Sequence, residues 1–441
     1  MTDAPPTTLP TPSPDDLAAF RDDPLVALPR LFETYGDPFQ MPSQAGPMVL
    51  TADPDSCERV MKGHLSRGPL HRRTEPTQGA GISILTGDEW RRTRSMVSPL
   101  FTHRHLKGLS DLIAEGASDG LDGLDAHVGT GETVDLMAFM PRVTMGVLMH
   151  AMFSDSLRPG EIEAMIGDYA HISRWKGGLI KTAFEPEGTP VPHEAEGRAA
   201  LYRIDEIIYR IIGERRSGGV VRNDLLQLLV ESEYEEDGSR LSDEEVRNNT
   251  TTLFIAGFDT TSFGLCWTLA AALTSDRWPA MVECADQLGD RLPTLDDYES
   301  LGYLKAAFDE GLRLQGHPLI PRQLATDEQI GDHVVPAGTM VTMSTWVMHR
   351  NPTLWESPEE FRPERYLGEA NARRNRWQSL PFGGGPRVCV GIGFAYMEAT
   401  YVLGLLLRRY RLELEPGWEL RPTYVFNVIL DGGLPVRVTR R

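Results

Sequence analysis

The amino-acid sequence predicts a mainly α-helical protein with a small β portion, and three observations carry that reading. The chain has 441 residues, 41% of them hydrophobic and 24% charged, enough for an extensive globular core. Its longer patterned segments carry apolar residues at helical spacing, whereas the segments that read as strands are short. No second low-complexity linker and no fixed-period repeat follows an N-terminal arm that contains Pro5, Pro6, Pro10, Pro12 and Pro14. The expected organisation is a disordered proline-rich arm over 1–15 and one domain over 16–441.

In chain order, 47–51 reads as a strand and 89–97 as a short helix stopped before Pro99. Residues 141–153 form a helix with proline in its first turn and an apolar face too wide for the surface. Amphipathic segments near 161–172 and 196–216 flank a loop rich in breakers (Gly177, Gly178, Pro186, Gly188, Pro190, Pro192), which together read as a helix, loop, helix lid. Ser242 followed three residues later by Glu245 is a capping box, and it opens a long helix that ends near Leu273. A helix over 303–314 ends at Gly316 and Pro318, strands follow at 334–336, 340–343 and 436–439, and a helix over 391–409 follows Cys389.

Composition excludes several classes of function. With 44 basic against 63 acidic residues the net charge is -19, so no nucleic-acid partner is expected. Cys57, Cys266, Cys284 and Cys389 are widely spaced, which indicates neither a disulfide framework nor a structural zinc and fits a reducing cytoplasm. The sequence shows no signal peptide, and no run reaches the roughly 18 apolar residues of a membrane span. A soluble protein without a membrane anchor is expected.

Chemistry concentrates in Phe382-Gly383-Gly384-Gly385-Pro386-Arg387-Val388-Cys389-Val390-Gly391. Glycines let the backbone approach a flat ligand, and a cysteine ahead of a helix has its thiolate favoured by the helix dipole and free N–H groups. Such a sulfur suits haem iron, Arg387 suits a propionate, and Phe382 can shield the sulfur. The competing readings are a structural cysteine and a phosphate loop, the latter opposed by Tyr396 where a small residue belongs and by the absence of a loop lysine. Inside the long helix, Ala256-Gly257-Phe258-Asp259-Thr260-Thr261 breaks local rules, because a mid-helix glycine costs about 1 kcal/mol and paired threonines add to that. The Thr260 hydroxyl can take the Ala256 carbonyl and open a groove, with Asp259 beside it to handle protons. Glu310 and Arg313 share one helical face, as do Trp90 and Arg94.

With these motifs the sequence resembles the cytochrome P-450 family of haem-thiolate monooxygenases, in which phenylalanine, glycine, arginine, cysteine and glycine occupy the positions of Phe382, Gly385, Arg387, Cys389 and Gly391. The resemblance implies a haem b (iron protoporphyrin IX) held between the long central helix and the cysteine-loop helix, with Cys389 as the iron ligand. It implies that Asp259 and Thr260 deliver protons for dioxygen activation, and that Ala256, Gly257, Gly383 and Gly391 lie against the cofactor. It gives Trp90, Arg94, Arg322 and Arg387 to the propionates, and makes Glu310, Arg313 and Arg365 a structural network that braces the thiolate loop. The pocket is expected to be lined by Ile82, Ile84, Leu85, Thr252, Ile255, Ala256, Leu319, Ile320, Val425 and Phe426, which favours a bulky, mostly apolar substrate such as a terpenoid or polyketide. No flavin or iron–sulfur module follows Arg441, so a separate ferredoxin or flavoprotein is expected to supply electrons, docking near 103–107 or 373–376. Two rival readings are a peroxide-using or rearranging haem-thiolate enzyme and a non-catalytic haem sensor. One departure from the family pattern is Leu314-Gln315-Gly316-His317-Pro318, where an aromatic or histidine and a proline usually follow the arginine more directly.

Overall fold

The capping box at Ser242 forms as its residues dictate. Ser242 Oγ accepts from the Glu245 N–H at 3.2 Å, and Glu245 Oε2 accepts from the Ser242 N–H at 2.8 Å. The central helix that it opens runs Asp243–Leu273 and is buried over most of its length. The computed structural model to which it belongs describes residues 9–42, 46–182, 188–218, 221–234, 237–424 and 427–441. Around the central helix pack Leu136–Phe153, Gly302–Gln315 and Ile392–Arg409. A Cβ on Gly311 would lie 2.1 Å from Thr268 Oγ1, so glycine is what lets Gly302–Gln315 cross the central helix so closely.

Several boundaries differ from expectation. Pro141 lies inside its helix, because Asp135 caps the chain earlier by accepting from the Met137 N–H at 2.9 Å and the apolar run 136–140 propagates from there. This helix and the central one are long and apolar enough, by length and composition, to cross a membrane, and both are mostly buried inside the protein. The first lid helix, Glu161–Lys181, continues through Gly177 and Gly178, and the second is Glu194–Arg216; of the expected loop between them, 183–187 lie outside the described residues. Disorder expected over 1–15 does not hold for 9–15: the Gln40 N–H donates to the Pro10 carbonyl at 2.9 Å, and Ser13 caps the helix Pro14–Asp22. Residues 1–8 lie outside the described residues.

The β portion is small. One sheet has the order Phe39–Met41, Met48–Thr51, Met340–Met343, Ile320–Gln323, with the middle pair parallel and Arg322 opposite Val341. A second joins Thr133–Asp135, Pro435–Arg440 and Tyr410–Leu414, and two hairpins, Glu328–Ile330 with His333–Val335 and Pro422–Tyr424 with Val428–Leu430, complete it. All four expected strands fall within one residue of those found.

Candidate functional site

The cysteine loop is held from below. Gly385 has φ +66°, and a Cβ there would lie 2.1 Å from the Met61 carbonyl, so the loop rests on the end of the helix Pro54–Gly63. Trp377 presses against Gly384 from another side. The Cys389 N–H donates to the Phe382 carbonyl at 3.0 Å, and the helix Ile392–Arg409 begins three residues later with Gly391 at its N-cap. The Phe382 ring meets Tyr396, centroids 5.1 Å apart. Burial pushes the Cys389 thiol up, opposed by the Gly391 N–H, Arg94 and Arg67. Its side chain nevertheless remains exposed, so it faces a space enclosed by protein.

The central helix opens partway along its length. Residues 246–255 are all buried, whereas Ala256 and Thr260, one turn apart, are exposed. Four consecutive carbonyls here each accept a side-chain hydroxyl: Ala256 from Thr260 at 2.8 Å, Gly257 from Thr261 at 3.3 Å, Phe258 from Thr144 at 3.2 Å, and Asp259 from Ser262 at 3.0 Å. The first is the bond expected from the sequence, and the helix stays continuous through it. Asp259 turns toward the lid, where the Tyr169 hydroxyl donates to Asp259 Oδ2 at 2.6 Å. Burial raises the Asp259 carboxyl above its usual range, and the Tyr169 hydroxyl and Lys176 pull it down. Burial brings Lys176 to about 8, with Asp259 raising it and Arg67 lowering it. The Tyr169 ring sits edge-on to Phe258 and Phe254 at 4.4 and 5.7 Å, clasping the lid to the central helix.

A cluster of cations lies alongside. Burial, then Arg67 and Arg387, lowers Arg322 to about 9, and burial, then Arg67 and Arg94, lowers Arg387 to about 10. Among the described residues no carboxylate pairs with Arg67, Arg94, Arg322 or Arg387, and the Nε atoms of Arg67, Arg322 and Arg387 are buried without a partner. Arg387 is fixed instead by the Leu85 carbonyl at 2.6 Å and by Trp90, whose ring centroid is 4.5 Å from its Cζ. A cavity of about 320 Å³ bordered by Arg67, His71, Ser83, Ile84, Gln323 and Arg387 adjoins them. Desolvated guanidinium groups without counter-charge, beside an enclosed thiol, fit a haem: its two propionates would satisfy the arginines and its iron the sulfur.

The bracing network is fully formed. Glu310 and Arg313 are both 0% exposed and bond in bidentate fashion, at 2.7 and 2.8 Å. Arg365 reaches Glu310 at 3.2 Å, and the Arg362 N–H donates to it at 2.9 Å. Arg313 also donates to the carbonyls of His349 and Pro358, each at 2.7 Å.

The expected pocket lining is only partly assembled. Ile82, Ile84, Thr252 and Ile255 are buried, and Thr252 lies under Gly81, whose added Cβ would come within 2.2 Å of its Oγ1. Leu319 and Ile320 are partly buried, Leu319 against the apolar cluster that includes Leu28 and Phe39 and Ile320 against the one that includes Val49 and Val341. Val425 and Phe426 lie outside the described residues. Residues that the sequence reading missed are Arg67, Tyr169 and Lys176. Arg67 sits in a Ser-Arg-Gly-Pro step, a weak signal of a fixed turn, and nothing local distinguishes the other two.

Comparison with known proteins agrees with this geometry. The family pattern of cytochrome P-450 matches residues 16–436. The chain is 29% identical to cyclooctat-9-en-7-ol 5-monooxygenase of Streptomyces melanosporofaciens, over 90% of this chain and 86% of that one. It is 27% identical to cyclooctatin synthase of the same organism, over 90% and 87%, and 26% identical to the chloroplastic protein LUTEIN DEFICIENT 5 of Arabidopsis thaliana, over 94% and 74%. The fold is similar to a crystal structure of a cytochrome P-450 haem domain, with TM-score 0.89 and 24% identity over 99% of this chain and 98% of that one.

Proposed function

The chain belongs to the cytochrome P-450 family of monooxygenases, and from that premise we propose that it inserts one oxygen atom from dioxygen into a terpenoid, using haem b and electrons from a separate ferredoxin or flavoprotein. The observations that carry the reaction type are the enclosed Cys389 beside uncompensated arginines and the hydroxyl-rich turn at 256–260 of the central helix. Bound haem supplies dioxygen activation and oxidising power. Cys389 Sγ would hold its iron, Arg67, Arg322 and Arg387 would take its propionates, and Arg94 would offset charge near the sulfur.

The chain's remaining work is with protons and water. The Thr260 hydroxyl donates to the Ala256 carbonyl and keeps its oxygen lone pairs for a donor on the exposed side. The Asp259 carboxyl holds a proton at neutral pH more readily than a surface aspartate, and Tyr169 anchors it to the lid. Tyr169 of the lid packs edge-on to Phe258 and closes over the buried Asp259 carboxyl.

Two relatives are named for cyclooctatin chemistry, which supports a terpenoid over a polyketide. The electron donor meets a basic ring around the cysteine loop. Phe101 and Leu106 abut Gly391 and Gly393, which brings exposed Arg104 and Lys107 to one side. Lys62 and Arg376 flank Trp377 on the other, at 5.5 and 5.0 Å from its ring. On that side Arg373 pairs with Glu369, Arg374 stacks on Tyr366 and Lys62 pairs with Glu58, which partly offsets their charge. Four free cysteines suit a reducing cytoplasm.

The test is a spin-state titration of the haem-loaded protein with mono-, sesqui- and diterpenoids and with fatty acids of matched carbon number, followed by turnover with reductant and dioxygen. Shifts and oxygenated products from terpenoids support the reading. Shifts from acyl chains alone, or turnover with peroxide but not with reductant and dioxygen, overturn it.

A further inference from the structure

One imidazole joins the Glu310–Arg313 pair to the start of the cysteine loop. His349 follows the short helix Thr345–Met348 and is 0% exposed. The Leu380 N–H donates to its Nε2 at 3.1 Å; a ring nitrogen that accepts an N–H carries no proton of its own, so the neutral ring carries it on Nδ1. That Nδ1–H donates to the Arg313 carbonyl at 3.1 Å, in the last turn of Gly302–Gln315, where helix carbonyls have no intrahelical donor. Arg313 and Leu380 are buried too, so each bond satisfies a backbone group that would otherwise be desolvated and unpaired. The ring itself is pinned. Arg313 Nη1 donates to the His349 carbonyl at 2.7 Å, and Trp355 stands edge-on to the imidazole, centroids 6.3 Å apart. Burial, then Arg313, lowers the His349 pKa to about 3, which keeps Nε2 an acceptor at neutral pH. Beyond Leu380 the bonds continue into the loop: the Leu380 carbonyl accepts from the Gly383 N–H at 3.0 Å, and the Phe382 carbonyl from the Cys389 N–H at 3.0 Å.

We propose that His349 is a positioning residue for the iron ligand: it transmits the fixed place of the Glu310–Arg313 pair to Leu380, and through the bonds that follow it holds Cys389 where its sulfur can bind haem iron as a thiolate. The loop needs such an anchor because Gly383, Gly384 and Gly385 give it little stiffness of their own. A neutral imidazole suits the task, since it offers a donor and an acceptor at opposite ends of a rigid plane. An amide side chain offers the same pair on a flexible stem, and an apolar ring offers neither. The role concerns the loop and not the substrate, so it stands or falls separately from the terpenoid reading.

The experiment compares the haem-loaded parent, His349→Gln and His349→Phe by amide hydrogen exchange and by the carbon monoxide spectrum of the reduced protein during mild heating. In His349→Phe, exchange over 379–390 rises roughly tenfold while that of the central helix stays parental, and the thiolate-type spectrum converts to the thiol type roughly tenfold faster. His349→Gln, whose amide can still accept from the Leu380 N–H, retains most of the parent's protection. Parental loop exchange in His349→Phe overturns the proposal. So does a rise of equal size in the loop and the central helix, which marks a residue of the core with no particular hold on the loop. Should His349→Phe bind no haem, His349→Gln decides: near-parental protection of 379–390 supports the proposal, whereas a general loosening, or no haem in either variant, overturns it.

Discussion

Removing the Thr260 hydroxyl takes one of four hydroxyls from a run of consecutive carbonyls and leaves the other three to hold the turn. Thr260→Ala should therefore fold and bind substrate like the parent, while product formed per reductant consumed falls by about tenfold or more and hydrogen peroxide accumulates. Measuring reductant, peroxide and product together checks this; a parental ratio would remove Thr260 from proton handling. Tyr169 gives a second residue-scale outcome with a definite sign. Its hydroxyl donates to ionised Asp259 and so lowers a pKa that burial raises. Tyr169→Phe leaves burial less opposed, the carboxyl keeps its proton to higher pH, and the falling alkaline limb of the rate profile moves upward in pH. A limb that stays or moves down shows the bond to be without effect. The Thr260 bond was legible in the sequence because a mid-helix threonine has one local acceptor four residues back. The Tyr169 bond was not, since no local pattern tells which residue of a lid helix reaches a carboxylate 90 positions away.

Glu310, Arg313 and Arg365 tie one helix to the 3-10 turn Pro363–Tyr366 through a carboxylate that has no access to water. Glu310→Gln leaves two guanidinium groups short of their counter-charge, which costs about 3–5 kcal/mol for a buried pair. The expected result is a markedly lower melting temperature and little haem-loaded protein, measured by calorimetry and by the ratio of haem to protein absorbance. Normal values for both would mean that the network is dispensable. Elements with end signals were read well: the capping box placed the start of the central helix at the correct residue. Pro141 misled because proline is favoured in a first turn, while the Asp135 cap six residues upstream set the start. The Gly177-Gly178 pair misled because packing against the second lid helix outweighs the propensity cost of two glycines.

On the scale of the whole molecule, a net charge of -19 and a basic ring around the cysteine loop are compatible, because docking responds to local charge. Arg104→Glu combined with Lys107→Glu should slow reduction by an acidic ferredoxin by roughly tenfold at low ionic strength and less in high salt, with the haem spectrum unchanged. Stopped-flow reduction across a salt series measures this, and a salt-independent or unchanged rate excludes the face. The fold class was legible because four separated motifs fix which segments must meet, whereas the burial of Thr252 under Gly81 was not, because it is set by a distant segment. The rest of the cysteine loop on the Met61 carbonyl has a consequence for how the protein is made. The two halves of that contact are separated by more than three hundred residues, so on the ribosome the first half is exposed long before the second exists. Neither the loop nor the cation cluster that includes Arg387 can assemble until nearly the whole chain has emerged. Haem capture is thus a late event of biosynthesis, and the early helices must wait for it with apolar faces uncovered, which makes the yield of intact protein depend on chaperones and haem supply during expression.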